Sequence, residues 1–199
     1  MENSNDMKEQ EQQKPVTDRR IRKTRAALKH SLTVLMKEKS VKDISVKELT
    51  SLADVNRGTF YLHYKDVFDL LEQSEDDLLQ ELHETVNAFP ASLLNEKPNR
   101  LFEEIYALCL ENADLVRILI GENGDIKFLN KLKKLMHDRL DEWSNMLRTQ
   151  HPQAQNFDSY FAFLVGGCIS LLQYWFQNGM RETPTQLADI TCLFLERGV

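Results

Sequence analysis

An all-α fold of about nine helices is what this sequence predicts, and three features of its composition and patterning support that prediction. Glycine and proline are sparse, at 7 and 5 among 199 residues, whereas an all-β fold needs many turns. Apolar residues make up 42% and charged residues 28%, which is ordinary for a globular protein with a core. Long segments repeat their apolar residues every three or four positions, which is the period of an α-helix.

The first 39 residues divide into a polar tail and a first helix. Residues 1–16 are rich in Gln and Glu without apolar periodicity, so we expect a disordered tail there. A helix is predicted from about Asp18 to Lys39, because apolar residues recur at helical spacing at Ile21, Leu28, Leu32, Leu35 and Met36. The basic cluster RRIRKTR occupies its first turns, where acidic residues would suit the helix dipole better. A sequence that accepts this cost is expected to use those charges to bind phosphate.

The stretch Ser45–Lys65, SVKELTSLADVNRGTFYLHYK, predicts two short helices joined by a tight turn. Ser45 and Glu48 form an S-x-x-E capping box, so a helix should begin at the residue after Ser45. A short turn follows, and Asn56 can cap a second helix that begins at Arg57. This layout is a helix-turn-helix, whose second helix reads bases in the major groove.

Six further helices are predicted after the helix-turn-helix, and proline or glycine residues mark most of their ends. Their expected ranges are Asp66–Val86, Asn99–Glu111, Asp114–Ile120, Ile126–Gln150, Phe157–Asn178 and Pro184–Glu196. The segment Phe157–Asn178 is the most apolar, so we expect it to be buried on most sides, with Gly179 as its C-terminal cap. Gly166 and Gly167 lie in its middle at a cost of ~1 kcal/mol each relative to alanine, which indicates that another helix passes close.

Charge is distributed unevenly along the chain. The whole sequence carries −6, but residues 17–65 hold 12 Lys and Arg against 5 Asp and Glu, a net charge of +7. Residues 1–16 carry −2 and residues 66–199 carry −11. A basic head on an acidic body is the electrostatic pattern of a protein that binds a polyanion with one end.

Other functional classes lack their sequence signatures. No apolar run approaches the ~20 residues that span a bilayer, and the polar N-terminus has no signal-peptide core, so we expect a cytoplasmic protein without membrane contact. No E-x-x-H, G-x-S-x-G, P-loop or H-E-x-x-H motif occurs, so no catalytic residue, metal or cofactor is predicted. Cys109, Cys168 and Cys192 lie far apart without a C-x-x-C pair, which favours buried small hydrophobes over zinc or dithiol chemistry. A redox-sensing thiol at Cys109 is the open alternative.

The residues around the second helix of the helix-turn-helix resemble those of a known family. NRGTFY at 56–61, followed by HYKD at 63–66 and Leu70, is similar to the hallmark of the TetR/AcrR family of bacterial transcriptional regulators. The resemblance covers residues 20–71, about a quarter of the chain, with Tyr64 where the family more often has phenylalanine. It implies a DNA-binding domain over 17–65 and a helical dimerisation and effector domain over 66–199.

Nine residues of the head are candidate DNA contacts: Ser45, Lys47, Arg57, Gly58, Thr59, Tyr61, His63, Tyr64 and Lys65. Arg57 suits the guanine edge and Thr59 a thymine methyl or a phosphate, while Gly58 leaves space for close approach to the groove. Ser45 is a phosphate donor at a helix N-terminus, and Lys47 is expected to reach phosphate too. The resemblance implies that Tyr61, Tyr64 and Lys65 contact phosphate. His63 is left open between a DNA contact and a plain surface residue.

The resemblance also implies a homodimer, which we expect to form through residues 157–178 and 184–196 as a four-helix bundle with the partner's helices. Surplus aromatic residues on the middle helices predict a largely apolar effector pocket there. Its best candidates are Tyr106, His137, Trp143, Tyr160 and Trp175. The acidic body favours a neutral or cationic effector, unless an arginine such as Arg117 compensates for a negative one.

These features predict a DNA-binding transcriptional regulator that acts as a homodimer on a pseudo-palindromic operator. We expect a repressor that an effector in the C-terminal domain releases or modulates. The alternative is a DNA-binding regulator controlled by a protein partner docked on the C-terminal domain, without a small-molecule pocket. An enzyme ranks third. An enclosed cavity would favour the first class, an exposed apolar patch outside the dimer interface the second, and titratable groups clustered in a cleft the third.

Overall fold

The computed structural model of the chain describes residues 6–90, 93, 97–121, 124, 126–138 and 157–197. These residues form nine α-helices and no β-strand, which confirms the predicted all-α fold. Two compact units divide the chain, Met1–Ser74 and Glu75–Val199, a few residues beyond the expected domain limit at Lys65. The fourth helix contributes residues to both units.

Four helices and one 3-10 turn enter the first unit. They are α1 (Asp6–Met36), the 3-10 turn (Val41–Asp43), α2 (Val46–Leu52), α3 (Arg57–Tyr61) and the start of α4 (Val67–Ala88). Helix α1 begins at Asp6 instead of near Asp18, so it includes residues 6–16, which the composition had assigned to a disordered tail. Glu, Gln and Lys are good helix formers, and elongating an existing helix costs far less than nucleating one.

The core of the first unit draws fully buried side chains from all four of its helices: Leu28, Leu32, Leu49, Phe60 and Leu70. Three of the buried serine and threonine hydroxyls in this unit each donate to a carbonyl of the preceding turn. Thr33 bonds to His30, Thr50 to Val46 and Ser74 to Leu70, over 2.7–2.8 Å. These polar groups are therefore buried without the penalty of a missing partner.

The second unit adds five helices to the end of α4. They are α5 (Pro98–Glu111), α6 (Ala113–Ile120), α7 (Ile126–Asp138), α8 (Phe157–Gln177) and α9 (Pro184–Arg197). Their starts lie within one residue of the predicted ones, and proline is the first residue of α5 and of α9. The predicted extension of α7 to Gln150 lies outside the described residues.

Packing in the second unit centres on α5 and α9, which lie against each other. The Tyr106 hydroxyl on α5 and the Thr191 hydroxyl on α9 form a buried hydrogen bond of 2.7 Å. Leu187, also on α9, is only 2% exposed within the single chain. A separate apolar cluster joins α4 to α5 through Leu82, Val86, Phe89 and Leu101. Helix α6 lies against α8, and the described part of α7 contacts both.

Helix α8 is less buried in the single chain than its apolar sequence predicts. Phe163 and Tyr174 are 69% and 60% exposed, and they lie on the same helix face as Gly167. A Cβ atom added to Gly166 or Gly167 would have no described atom within 4 Å. The helix that these glycines were expected to meet is therefore not among the described residues of this chain, and one face of α8 is open.

The end of α8 follows its sequence signal. Gly179 has φ +79°, and the backbone N–H of Met180 donates to the Trp175 carbonyl over 2.9 Å, which is the Schellman pattern. The Trp175 indole then donates to the Glu182 carbonyl over 3.0 Å, which ties α8 to the start of α9. Within the described ranges, every helix is too short or too polar to cross a lipid bilayer.

Candidate nucleic-acid interface

Both helices of the helix-turn-helix start where their capping residues predict. Ser45 Oγ accepts a hydrogen bond from the Glu48 backbone N–H over 3.2 Å, and α2 begins at Val46. Asn56 Oδ1 accepts from the Gly58 backbone N–H over 2.7 Å at the start of α3. The Glu48 carboxylate pairs with the Lys39 ammonium group. Of the two hydrogen bonds of the predicted capping box, the structure therefore shows the one accepted by the Ser45 side chain.

The turn between α2 and α3 contains a left-handed residue, although its sequence has no glycine. Asp54 adopts φ +52°, where glycine is the usual residue. The Val55 N–H donates to the Thr50 carbonyl over 3.0 Å, which closes a Schellman motif around Asp54. Aspartate tolerates this left-handed conformation better than most side chains. The motif sets the angle at which the chain enters α3.

Helix α3 presents one face to solvent and buries the other. Arg57, Gly58 and Tyr61 are exposed, with Tyr61 52% accessible, and they recur at the spacing of a single helix face. Phe60 lies on the opposite face and is completely buried. Thr59 is half-buried. The exposed face therefore carries a guanidinium group and a phenol, both of which can contact nucleic acid.

Exposed polar and basic groups also lie at both ends of the helix-turn-helix. Ser45 and Lys47 are exposed in the first turn of α2, and Lys65 is exposed beyond α3. A shallow recess of about 380 Å³ between the two helices is lined in part by Lys47 and Arg57. His63 is half-buried, with its ring centroid 6.2 Å from that of Tyr64.

Tyr64 lies in the core, which revises its predicted role as a phosphate contact. It is 2% exposed, and its ring lies 5.7 Å from that of Phe60. Its hydroxyl accepts a hydrogen bond of 3.1 Å from Arg25 Nε on α1. Because this hydroxyl is hydrogen-bonded and the residue is buried, Tyr64 packs against the inner face of α3 through Phe60.

Arg25 begins a chain of hydrogen bonds that sequence reasoning missed. Its Nη2 donates to Gln73 Oε1 over 3.3 Å, and Gln73 donates to Asp69 Oδ1 over 3.1 Å. Asp69 Oδ2 accepts from the Lys65 backbone N–H over 2.7 Å. The bonds from Lys65 and Gln73 lower the pKa of the Asp69 carboxyl. This chain of hydrogen bonds joins α1 and α4 to Lys65, which follows α3, although the basic cluster RRIRKTR predicted that Arg25 would bind phosphate.

A local signal could have identified Asp69. Asp66 and Asp69 are spaced as a capping box, and Asp66 Oδ1 accepts from the Asp69 backbone N–H over 2.8 Å. In a complete capping box the Asp69 carboxylate would accept from the Asp66 backbone N–H, but here it accepts from the Lys65 backbone N–H. No comparable local pattern marks Arg25 or Gln73, because these two residues are 48 positions apart.

The five predicted effector-pocket residues do not form one site among the described residues. Tyr106 and Trp175 are each 1% exposed and hold other helices or loops through hydrogen bonds. His137 is exposed on α7. Trp143 lies outside the described residues, and so does the side chain of Tyr160.

A different recess opens between α6 and α8 in the second unit. It has a volume of about 360 Å³ and is lined by Arg117, Ile120, Gly121, Gln173, Phe176 and Gln177. The Arg117 guanidinium lies 5.6 Å from the centre of the Phe176 ring and donates to the Phe176 carbonyl over 3.3 Å. None of the five predicted residues lines this recess.

Two of the cysteines lie near Tyr106 in an environment that suppresses thiolate formation. Burial raises the pKa of the Cys109 thiol to about 12 and that of Cys168 to about 11. Burial also raises the pKa of the Tyr106 hydroxyl. Both thiols are therefore protonated at neutral pH, which disfavours redox sensing, and the two side chains are partly buried while Cys192 is buried.

Comparison with known proteins identifies a family model and a curated relative that match parts of the chain. Residues 96–197 match the family model of the TetR type described as "Transcriptional regulator C-terminal region". An uncharacterized HTH-type transcriptional regulator, YxbF of Bacillus subtilis (strain 168), is 35% identical over 57 residues, which are 29% of this chain. The match spans only 15% of that regulator's length.

Solved structures show the same fold over most of the chain. A TetR transcriptional regulator from Streptococcus agalactiae 2603V superposes with a TM-score of 0.61 at 23% identity, covering 90% of this chain and 97% of the other. The regulator FadR from Bacillus subtilis, solved in complex with stearoyl-CoA, has a TM-score of 0.61 at 14% identity, covering 87% and 98%. At these identities the likeness is one of fold.

Proposed function

The chain belongs to the TetR family of transcriptional regulators, and from that membership we propose that it binds operator DNA through the head at residues 17–65. The exposed face of α3 is the observation that carries this proposal. Arg57 and Tyr61 lie on that face while Phe60 anchors the opposite one. The segment around it has a net charge of +7, which suits a polyanion. In this proposal Arg57 reads a base edge, and Ser45, Lys47, Tyr61 and Lys65 hold the phosphates.

We further propose that two copies associate through α8 and α9, residues 157–178 and 184–196. The open face of α8 supports this, because Phe163 and Tyr174 are exposed beside two glycines that leave space for a neighbouring helix. Leu193 and Phe194 on α9 are also 44% and 60% exposed. A two-fold dimer of this kind places two heads on a pseudo-palindromic operator.

Arg57 and Lys65 should respond differently to truncation. Arg57→Ala should reduce discrimination between the selected operator and other sequences, because a bidentate guanine contact contributes about 1–3 kcal/mol. Lys65→Ala should weaken binding to all duplexes alike and flatten the salt dependence by about 1 unit of slope for each head. Gel shifts at several salt concentrations, on a duplex selected from a random library, measure both effects.

Lys133→Ala is the matched control for that series, because Lys133 is an exposed lysine on α7 in the other unit. It should leave both the affinity and the salt slope unchanged. If the wild type enriches no sequence from the library, or if deletion of residues 17–65 leaves binding intact, the chain does not read DNA with this head.

A repressor controlled by an effector in the C-terminal region is the finer proposal. The recess between α6 and α8 supports it, because Arg117 brings a positive charge to an acidic body. The FadR relative was solved with stearoyl-CoA, so this anionic ligand is a concrete probe. If such a ligand is an inducer, it must bind the operator-free state better than the bound one.

Titrating stearoyl-CoA into the protein–duplex complex should release the duplex. Arg117→Ala should raise the concentration required about tenfold, because a charge-assisted contact is lost. Arg100→Ala, which removes an exposed arginine from α5, is the control. Equal release by wild type and Arg117→Ala would remove this recess from the proposal. No release would favour the alternative of a protein partner docked on the C-terminal domain.

A further inference from the structure

Leu62 is the most exposed large apolar side chain in the part of the chain that the structure describes. It is 81% accessible, and it directly follows the last residue of α3. A leucine exposed to this degree gains nothing from the protein's own core. Its position in the head makes it a candidate contact residue that the sequence analysis did not name.

Leu62 lies on the exposed face of α3 that also carries Arg57, Gly58 and Tyr61, which is the candidate reading face. Its φ and ψ, −74° and −21°, continue the helix, and its N–H donates to the Thr59 carbonyl over 3.3 Å. It therefore lies one turn after Gly58 and beside Tyr61, both exposed. Helical side chains lean toward the N-terminus, so Leu62 covers the surface above Gly58. Because glycine has no side chain, nothing at position 58 shields the leucine from solvent.

The surroundings of Leu62 favour nucleic acid over a protein surface as its partner. Arg57, Lys47 and Lys65 are all exposed in the same short element, within a segment of net charge +7. The cores of protein interfaces are depleted of charged residues, particularly lysine. Duplex DNA supplies both a negative backbone and an apolar group in the major groove, the C5-methyl of thymine.

We propose that Leu62 is a specificity-determining residue that packs against a thymine methyl group in the major groove. This inference rests on the proposed DNA-binding function and assigns one further reading contact to the same helix. It also transfers the thymine contact suggested for Thr59, which is half-buried, to the residue whose side chain is accessible.

The test combines a protein variant with removal of the methyl group from DNA. A duplex is first selected from a random library with the full-length wild type, and each thymine is then replaced in turn by deoxyuridine. The variants are Leu62→Ala, Leu62→Met and the control Leu52→Ala, which truncates a leucine that is 50% exposed at the end of α2. Affinities are measured for the selected duplex, its deoxyuridine forms and a scrambled duplex.

Replacing thymine by deoxyuridine should weaken wild-type binding about threefold or more at one position of the selected duplex. Leu62→Ala should bind the selected duplex about tenfold more weakly, the scrambled duplex equally well, and should be indifferent to deoxyuridine at that position. Leu62→Met, which keeps an apolar side chain, should retain most of the affinity and the methyl sensitivity. Leu52→Ala should behave as wild type.

Other results overturn the proposal in distinguishable ways. If Leu62→Ala keeps the wild-type affinity and methyl sensitivity, Leu62 reads no thymine although the DNA-binding function stands. Equal weakening on selected and scrambled duplexes would show a general contact without specificity. If the wild type enriches no sequence, the proposed function fails and this inference fails with it.

Discussion

Replacing Phe60 with alanine should lower the free energy of unfolding by about 3–5 kcal/mol, which is the usual cost of truncating a fully buried phenylalanine. Phe60 is 0% exposed, and its ring lies 5.4 Å from that of Tyr61 and 5.7 Å from that of Tyr64. The substitution removes the anchor of α3 and leaves a cavity behind the reading face. We therefore expect DNA binding to fall together with stability. Urea unfolding followed by circular dichroism, with gel shifts alongside, measures both.

Phe68→Ala provides a matched control for Phe60→Ala. Phe68 lies eight positions along the chain in the first turn of α4, but it is 55% exposed. The same atoms are removed without opening a cavity, so the change in unfolding free energy should stay within about 0.5 kcal/mol. Equal destabilisation by the two substitutions would contradict the burial pattern of the head.

Phe163→Glu should convert the proposed dimer into a monomer and reduce operator affinity by at least about 100-fold. By symmetry the change places two unpaired carboxylates in an apolar interface, where burying a charge is costly. Separated heads also lose the effective concentration that links two binding events, which contributes factors of 10²–10⁴. Sedimentation velocity at about micromolar concentration and gel shifts on the selected duplex measure the two effects.

Phe68→Glu is the corresponding control, because it introduces the same charge at another exposed phenylalanine. It should leave the dimer intact. A monomeric wild type at micromolar concentration would overturn the dimer proposal itself. Leu187 is a poor choice for this purpose, although it lies on the apolar stripe of α9. It is already 2% exposed within the single chain, so a charge there would test the core of the protomer.

The helix boundaries illustrate what local sequence can predict. Ser45, Asn56 and Gly179 act at the helix ends where their residue types indicated. Each makes or permits a hydrogen bond between groups only a few residues apart. Such bonds form wherever the local residues are right, so they can be recognised before any tertiary contact is known. The start of α1 was missed because polar residues of high helix propensity carry no apolar period.

The candidate reading face was partly predictable for the same reason. Helical spacing alone separates buried Phe60 from exposed Arg57 and Tyr61. Spacing also places Leu62 on that face, but its side chain has no hydrogen-bonding group that would indicate a DNA contact. The family resemblance implied a phosphate contact for Tyr64, whereas its hydroxyl accepts a hydrogen bond from Arg25 on another helix.

By itself, the sequence determined the all-α class, the helix-turn-helix with its two caps, and the separation of a basic head from an acidic body. All three depend on residue type and on neighbours within a few positions. Only the tertiary structure decided which polar groups turn inward. Arg25 bonds to residues 39 and 48 positions away, and Tyr106 bonds to one 85 positions away. Whether a polar side chain turns inward to a hydrogen-bond partner depends on these distant contacts, and neither composition nor periodicity encodes them.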